Sequence, residues 1–261
     1  MKAAVSDEIF TVQLRFHGGL GFFLRNEQRD RTIAKALREK TSVKDVIESC
    51  GVPHPEVDLI RCDGVPVGFD HPLTREAALG IFGVADSPGA PSEGLQQRRV
   101  TKFVADGHLG KLARDLRLLG FDALYASDAS DASLAAACSH ERALLTRDRR
   151  LLMHKVVRHG YCPRSHDPDE QIEEVVCRFD LSGLTAPFTR CLQCNGALAR
   201  VSKREILDQL EPLTKIYYHE FRRCADCGKI YWAGSHFEKL RNRLERIRFE
   251  HNRKSKFEIQ K

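Results

Sequence analysis

Between Lys102 and Asp148 the chain repeats one pattern three times: a short apolar run, an acidic stop, and room for a helix. The first run is Phe103-Val104-Ala105, ending at Asp106-Gly107. Leu109, Leu112, Ala113, Leu116 and Leu119 then recur every three or four residues, so they share one helical face. The second run, Ala123 to Ala126, ends in Ser127-Asp128-Ala129-Ser130-Asp131, with Leu134, Ala135 and Cys138 on one side of the helix that follows. The third is Ala143 to Thr146, ending in Arg147-Asp148. Strand–helix units joined by short loops have few ways to bury their apolar faces. The economical one is a parallel sheet flanked by helices. Further along, Tyr161-Cys-Pro-Arg reads as a fourth strand. Pro168 opens a helix with Ile172, Val175, Val176 and Phe179 inward, and Arg149 to His159 is expected to be helical.

The position of the acids carries the chemistry. In an open parallel sheet, ligands bind outside the carboxyl ends of the strands. Three such ends carry Asp106, Asp128 or Asp131, and Asp148. Taken singly, each also reads as a helix cap or first-turn acid. Taken together, carboxylates gathered at one edge repel unless a cation or protons neutralise them. Oxygen-only donors suit Mg²⁺ or Mn²⁺. A divalent metal held there activates water and stabilises a leaving oxygen in phosphodiester hydrolysis. Asp115, beside the polar Lys111 and Arg114, is expected at the surface. Lys111 and Arg147 read either as phosphate contacts or as solvated charges.

Cys191-x-x-Cys194 and Cys224-x-x-Cys227 supply four thiolates 29 residues apart, a donor set for a closed, structural Zn²⁺ site. Asn195-Gly196 and Gly228 follow the pairs, as tight turns around a metal require. The intervening residues 202–212 read as a helix and loop. Trp232 either stacks on a base or covers the ribbon. His236 either reaches phosphate or caps a helix. From Phe237 a helix is expected with Leu240, Leu244 and Ile247 inward and Arg241, Arg243, Arg246 and Arg248 largely outward, a phosphate-tracking face.

Ahead of the α/β unit, Phe10 to Phe16 alternates as a half-buried strand, and Gly21-Phe-Phe-Leu reads as a second apolar run after a Gly-Gly turn. A helix capped by Thr41 or Ser42 ends at Gly51. Val57 to Arg61, Val65-Pro-Val and Leu79 to Val84 are further strands. This order resembles a β-grasp, ubiquitin-like domain. Without a Gly-Gly terminus a carrier role is not expected, and docking of a protein partner or positioning of RNA are both open. His17, His54 and His71 are expected at the surface. A Pro/Gly/Ser-rich stretch from Ala85 to Gln97 follows.

Three blocks then make a resemblance specific: Asp106-x-x-Leu109-Gly110-Lys111-Leu112-Ala113-Arg114, Leu116 to Asp122, and Leu144-Leu145-Thr146-Arg147-Asp148. They resemble the Mut-seven C-terminal RNase family, a PIN-like nuclease followed by a zinc ribbon and often preceded by a ubiquitin-like domain. The resemblance implies Mg²⁺- or Mn²⁺-dependent cleavage of RNA. By position it assigns the catalytic acids to Asp106, Asp131 and Asp148, with Asp128 as a possible extra. The expected organisation is a ubiquitin-like domain over 1–88, a linker over 89–97, a PIN-like domain over 98–182, a zinc ribbon with a basic helix over 183–250, and a disordered tail over 251–261.

Charge bears on partners. The chain carries a net +6, whereas Arg200 to Lys261 holds 16 Lys/Arg against 9 Asp/Glu, so the excess sits at the C-terminal end. A basic segment on a near-neutral body points to an anionic partner, most simply RNA. No window approaches the roughly 18 apolar residues of a membrane span, and two CxxC pairs among nine cysteines favour a reducing, cytoplasmic setting over a secreted disulfide framework. Two rivals remain at this level. One is a non-catalytic RNA-binding protein on the same scaffold. The other is an aspartate-based phosphotransferase, whose DxD pattern Asp106-Gly107-His108 lacks.

Overall fold

The computed structural model describes residues 9–88, 93–138 and 141–234, with 238–239, 242–243 and 245 beyond them. Its first body is a five-stranded mixed sheet. Strand β1 (Phe10–Phe16) pairs antiparallel with β2 (Thr32–Leu37). The short β3 (Thr41–Ser42) leads into helix α1 (Val43–Glu48), and Ser42 caps it by accepting the Asp45 N–H at 3.1 Å. Strands β4 (Val57–Cys62), β5 (Val65–Pro66), β6 (Pro72–Leu73) and β7 (Ala77–Gly83) complete the unit. The sheet order is β2-β1-β7-β4-β5, with β7 parallel to β1 and β3 paired with β6 at the side. A central parallel pair flanked by antiparallel hairpins, with one helix across its face, is the β-grasp arrangement.

The apolar run Gly21-Phe-Phe-Leu is not a strand. Gly18–Phe23 winds into a 3₁₀ turn that inserts Leu20 and Phe23 into the core. The second strand lies further along, in Thr32–Leu37, where alternation is blurred because most of its residues stay partly exposed at a sheet edge.

The second body is a four-stranded sheet, all parallel. It contains β8 (Lys102–Ala105), β9 (Asp122–Tyr125), β10 (Arg142–Leu145) and β11 (Gly160–Tyr161), in the order β11-β10-β8-β9. Helices α2 (Gly110–Leu118), α3 (Asp131–Ala137), α4 (Arg149–Leu152) and α5 (Pro168–Arg178) connect and cover the strands. The strands are short and apolar on both faces, as burial on both sides requires. Phe103, Ala105, Ala143 and Leu145 face α2 and α5. Val104 and Leu144, one residue out of phase, face the other way. Helix α4 stops at Leu152, far short of His159. Val156 is exposed there, and the chain turns back so that Val157 enters the core.

The two bodies share one core. Val104, Leu134, Leu144, Leu151, Leu152 and Val157 pack in the same apolar cluster as Val12, Leu14, Ile47, Ile60 and Ile81. Polar contacts reinforce the seam. Glu56, only 4% exposed, accepts from the Cys162 N–H at 2.7 Å and pairs with Arg164 at 2.7 Å. Arg149 donates to the carbonyls of Phe23 and Phe22 at 2.9 and 3.2 Å. His54 is buried in this seam rather than exposed, between the Glu48 carboxylate and the Val157 carbonyl, each at 2.7 Å. The stretch after the first body is likewise tied down at its end. Gln96 is buried, with its amide on the carbonyls of His54 and Val57, and Leu95 bonds to the Asp58 carbonyl.

The third body is a three-stranded antiparallel sheet of β12 (Leu198–Val201), β13 (Phe221–Cys224) and β14 (Ile230–Trp232). A 3₁₀ segment over Lys203–Gln209 and helix α6 (Pro212–Tyr217) fill the gap between the two CxxC pairs. His236, Arg241, the apolar face of Leu240, Leu244 and Ile247, the cations Arg246 and Arg248, and residues 251–261 lie outside the described residues.

Candidate active site and metal centre

Strand order fixes where the acids stand. From β8 the chain steps one way to β9 and then crosses to the opposite side for β10. That reversal makes the carboxyl end of the β8/β10 pair the switch point of the sheet, where a crevice opens. Asp106 directly follows β8, and Asp148 follows β10 with two residues between.

Thr146 joins them. It is fully buried, donates its hydroxyl to Asp106 Oδ2 at 2.6 Å and accepts the Asp148 N–H at 3.0 Å. Both acids are therefore within a single hydrogen bond of one hydroxyl. Asp148 also caps α4, its Oδ1 accepting the N–H groups of Arg150 and Leu151 at 2.7 and 3.3 Å. Capping and site-building are thus one arrangement here, since among the described residues the cap leaves Asp148 Oδ2 without a protein partner, just as Thr146 leaves Asp106 Oδ1. The short link through Thr146 is the feature sequence reading passed over. Its trace is the polar residue that ends an otherwise apolar run of Ala143, Leu144 and Leu145.

Asp131 does not join this pair. It is the first residue of α3, exposed, with Ser130 rather than Asp131 capping the helix through the Ser133 N–H at 3.2 Å. The reason is topological. Strand β9 lies on the far side of β8 from β10, two strand spacings of roughly 4.8 Å from β10. Asp128 sits exposed in the loop before α3. That loop crosses the turn after Asp106 closely enough that a Cβ on Gly107 would lie 2.7 Å from the Ser127 carbonyl oxygen. A side chain at 107 would push the second loop away from the first acid.

The expectation of three converging carboxylates is accordingly corrected. Among the described residues, the one group of three or more potential ligands whose donor atoms lie within 4.8 Å of one another is Cys191, Cys194, Cys224 and Cys227. The acid edge offers hard oxygens of the kind Mg²⁺ and Mn²⁺ take. Among the described residues it does not form a cage of three direct aspartate ligands.

Neighbouring charges are paired. Lys111 donates to Asp169 at 3.2 Å, and Arg147 lies on the His166 ring at 2.7 Å. Asp115, expected at the surface, is 6% exposed and bonded to Arg243 at 2.8 Å. Arg243, expected outward, reaches across from α2 to α5 and pairs with Asp169 as well. Burial raises the Asp115 carboxyl above its ordinary value, and the Arg243 and Lys111 charges offset part of that rise.

The thiolate group fits zinc. Cys191 and Cys227 sulfurs are 3.7 Å apart and those of Cys194 and Cys224 are 3.4 Å apart. A tetrahedron with Zn–S near 2.3 Å requires roughly 3.8 Å between sulfurs, and a disulfide would require about 2.05 Å. Burial works against ionising Cys191, but the Tyr231 hydroxyl at 3.1 Å and nearby backbone N–H groups bring its thiol down to about 6. The ribbon is fastened to the edge of the parallel sheet. Asn195, in the left-handed region at φ 73°, accepts the Ala123 N–H at 3.0 Å and donates to Asp122 at 2.7 Å. Buried Arg117 of α2 donates to the carbonyls of Leu192 and Gln193 at 3.2 and 2.8 Å.

Two family models match the chain. The Mut7-C RNAse domain matches residues 101–244, and the Mut7-C ubiquitin domain matches residues 9–81. No curated protein and no solved structure matches it. With the parallel sheet, its acid-bearing switch point and the four-cysteine ribbon inside the longer match, and the β-grasp sheet inside the shorter one, the chain belongs to the Mut7-C RNase domain family and carries that family's ubiquitin-like domain ahead of it.

Proposed function

We propose that the protein is a metal-dependent ribonuclease that cuts RNA endonucleolytically in the cytoplasm. Family membership supports a nuclease-type activity. The observation that carries the finer reading is the Asp106–Thr146–Asp148 arrangement at the switch point. Asp106 and Asp148 would hold Mg²⁺ or Mn²⁺ through their open oxygens, and Asp131 would contribute through water from the neighbouring loop. A divalent cation bound there supplies the charge that makes water nucleophilic and steadies the departing oxygen. The chain's own residues do the rest. Thr146 holds the Asp106 carboxylate in place through its donated hydrogen bond. The cap on α4 fixes Asp148 in the same way. Lys111 and Arg147, at the same edge, would exchange their present partners for phosphate. Free thiols throughout are consistent with a reducing compartment.

The alternative is an RNA-binding protein that keeps the scaffold without cutting. Mn²⁺ titration with single-stranded RNA separates the two. The wild-type chain is expected to release internal fragments. Asp106→Asn is expected to lose at least a hundredfold in rate with an unchanged circular dichroism spectrum and zinc content. Intact RNA at every Mn²⁺ concentration would leave only the binding function.

A further inference from the structure

A second concave surface is lined by none of the strand-end acids. A groove of about 770 Å³ runs between the ribbon sheet and the body of the molecule. Its lining includes Arg114, Arg190, Arg200, Arg222 and Lys229, with Glu220 as the sole carboxylate among the described residues. Strand register sharpens this. Arg200 of β12 is directly opposite Arg222 of β13, which is directly opposite Tyr231 of β14. Like charges facing each other across a sheet are destabilising by themselves. Neither arginine forms a salt bridge among the described residues, and Arg222 has only the Phe188 carbonyl, at 3.2 Å. Beside them Trp232 is 38% exposed, its ring tilted against Tyr218 and Phe221 at 6.4 Å. A pair of cations with no carboxylate partner among the described residues, beside a half-open aromatic face, suits alternating phosphates and bases.

We infer that this groove is a track for single-stranded RNA, with phosphates on Arg190, Arg200 and Arg222 and a base on Trp232. The inference rests on the ribonuclease reading for its choice of RNA, and it deepens that reading by giving the substrate a path. Arg114 is on α2, the helix that begins four residues after Asp106, so one element joins the groove to the acid edge. Stacking on an aromatic with cations along the backbone is sequence-tolerant, so recognition here is of strand and charge rather than of a base sequence.

The test uses the full chain carrying Asp106→Asn, fluorescein-labelled 12-nucleotide RNA, fluorescence anisotropy and no added divalent metal. Arg200→Ala with Arg222→Ala is expected to weaken binding tenfold or more and to reduce the salt slope by about 1.4, the share of two phosphate contacts on a single strand. Trp232→Ala is expected to weaken it about fivefold or more. Removing the same charge from the first body, Arg31→Ala with Arg38→Ala, is expected to change affinity less than twofold, and zinc content reports that each variant is folded. Undiminished affinity in the groove variants, or equal losses in the control pair, would overturn the inference. So would displacement of the RNA by polyglutamate of matched charge as efficiently as by unlabelled RNA, which would assign the groove to an acidic protein. Cleavage is not read in this assay. Lack of Mn²⁺-dependent cutting by the wild type would remove the nuclease and leave the groove standing.

Discussion

A single hydroxyl does most to define the candidate active site. Thr146 is buried, donates to Asp106 and accepts from the backbone of Asp148, so it holds two acids that are 42 residues apart in sequence. Thr146→Val keeps the shape and removes both bonds. It would leave a carboxylate oxygen and a backbone N–H unsatisfied, at a cost of about 1–3 kcal/mol. The expected outcome is a modest drop in melting temperature and a larger drop in cleavage than stability explains, measured on protein kept well below its transition. The strand-end positions of Asp106 and Asp148 were legible, because strand ends in a repeated strand–helix pattern are few. The separation of Asp131 from them was not. Asp131 is an exposed first-turn residue, since distance across a sheet depends on strand order, and strand order is not written in any one segment. Asp115 shows the same limit. Its polar neighbours on α2 argue for solvent, and only the approach of Arg243 from far along the chain makes its burial tolerable.

At the scale of elements, the ribbon was the most legible part. Two CxxC pairs admit one economical arrangement, and their sulfurs gather as zinc demands. What spacing did not reveal is the attachment. Asp122, at the start of β9, takes a two-pronged bond from Arg142 at 2.9 and 3.0 Å and another from Asn195 of the zinc knuckle. Burial alone would raise its carboxyl, but these donors outweigh it and hold the group below its ordinary value. A depressed carboxylate contributes stability above its ordinary value and loses it as pH falls through the lowered one. Acid is therefore expected to loosen the ribbon from the sheet before the core melts. Asp122→Asn is expected to flatten that acid limb, read by Trp232 fluorescence against far-ultraviolet circular dichroism. If the two signals move together at every pH in both proteins, the latch has no separate role. Secondary structure was less legible where burial interrupts periodicity. Helix α4 has one apolar turn, and then the chain gives up helical geometry to bring Val157 into the core.

For the whole molecule, the ubiquitin-like domain is a structural partner of the nuclease body. The two share one apolar cluster, and the Gly18–Phe23 turn takes both hydrogen bonds from Arg149, the residue beside Asp148. The domain thereby braces the start of α4, whichever partner its outer face meets. Glu56→Ala tests the seam. It would leave the half-buried Arg164 and the buried Cys162 N–H without their carboxylate partner, and lost hydrogen bonds to a charged group cost about 1.5–3 kcal/mol. The expected result is a single cooperative unfolding transition at lower temperature, with cleavage falling in parallel. Two separate transitions in the wild type would show that the bodies fold independently and that the seam is incidental.

What the sequence by itself determined was local. Apolar periodicity named the α/β unit, alternation and turn residues named most of the β-grasp strands, and cysteine spacing named the metal ligands. These are decisions made by neighbours within a few residues, through backbone geometry and side-chain pitch. What only the tertiary structure decided was long-range: which acids meet, that His54 and Asp115 are buried, that two domains share a core, and that a row of cations faces an open groove. Each of those depends on strand order and on surfaces contributed by distant segments, where burial and charge are properties of the assembled whole.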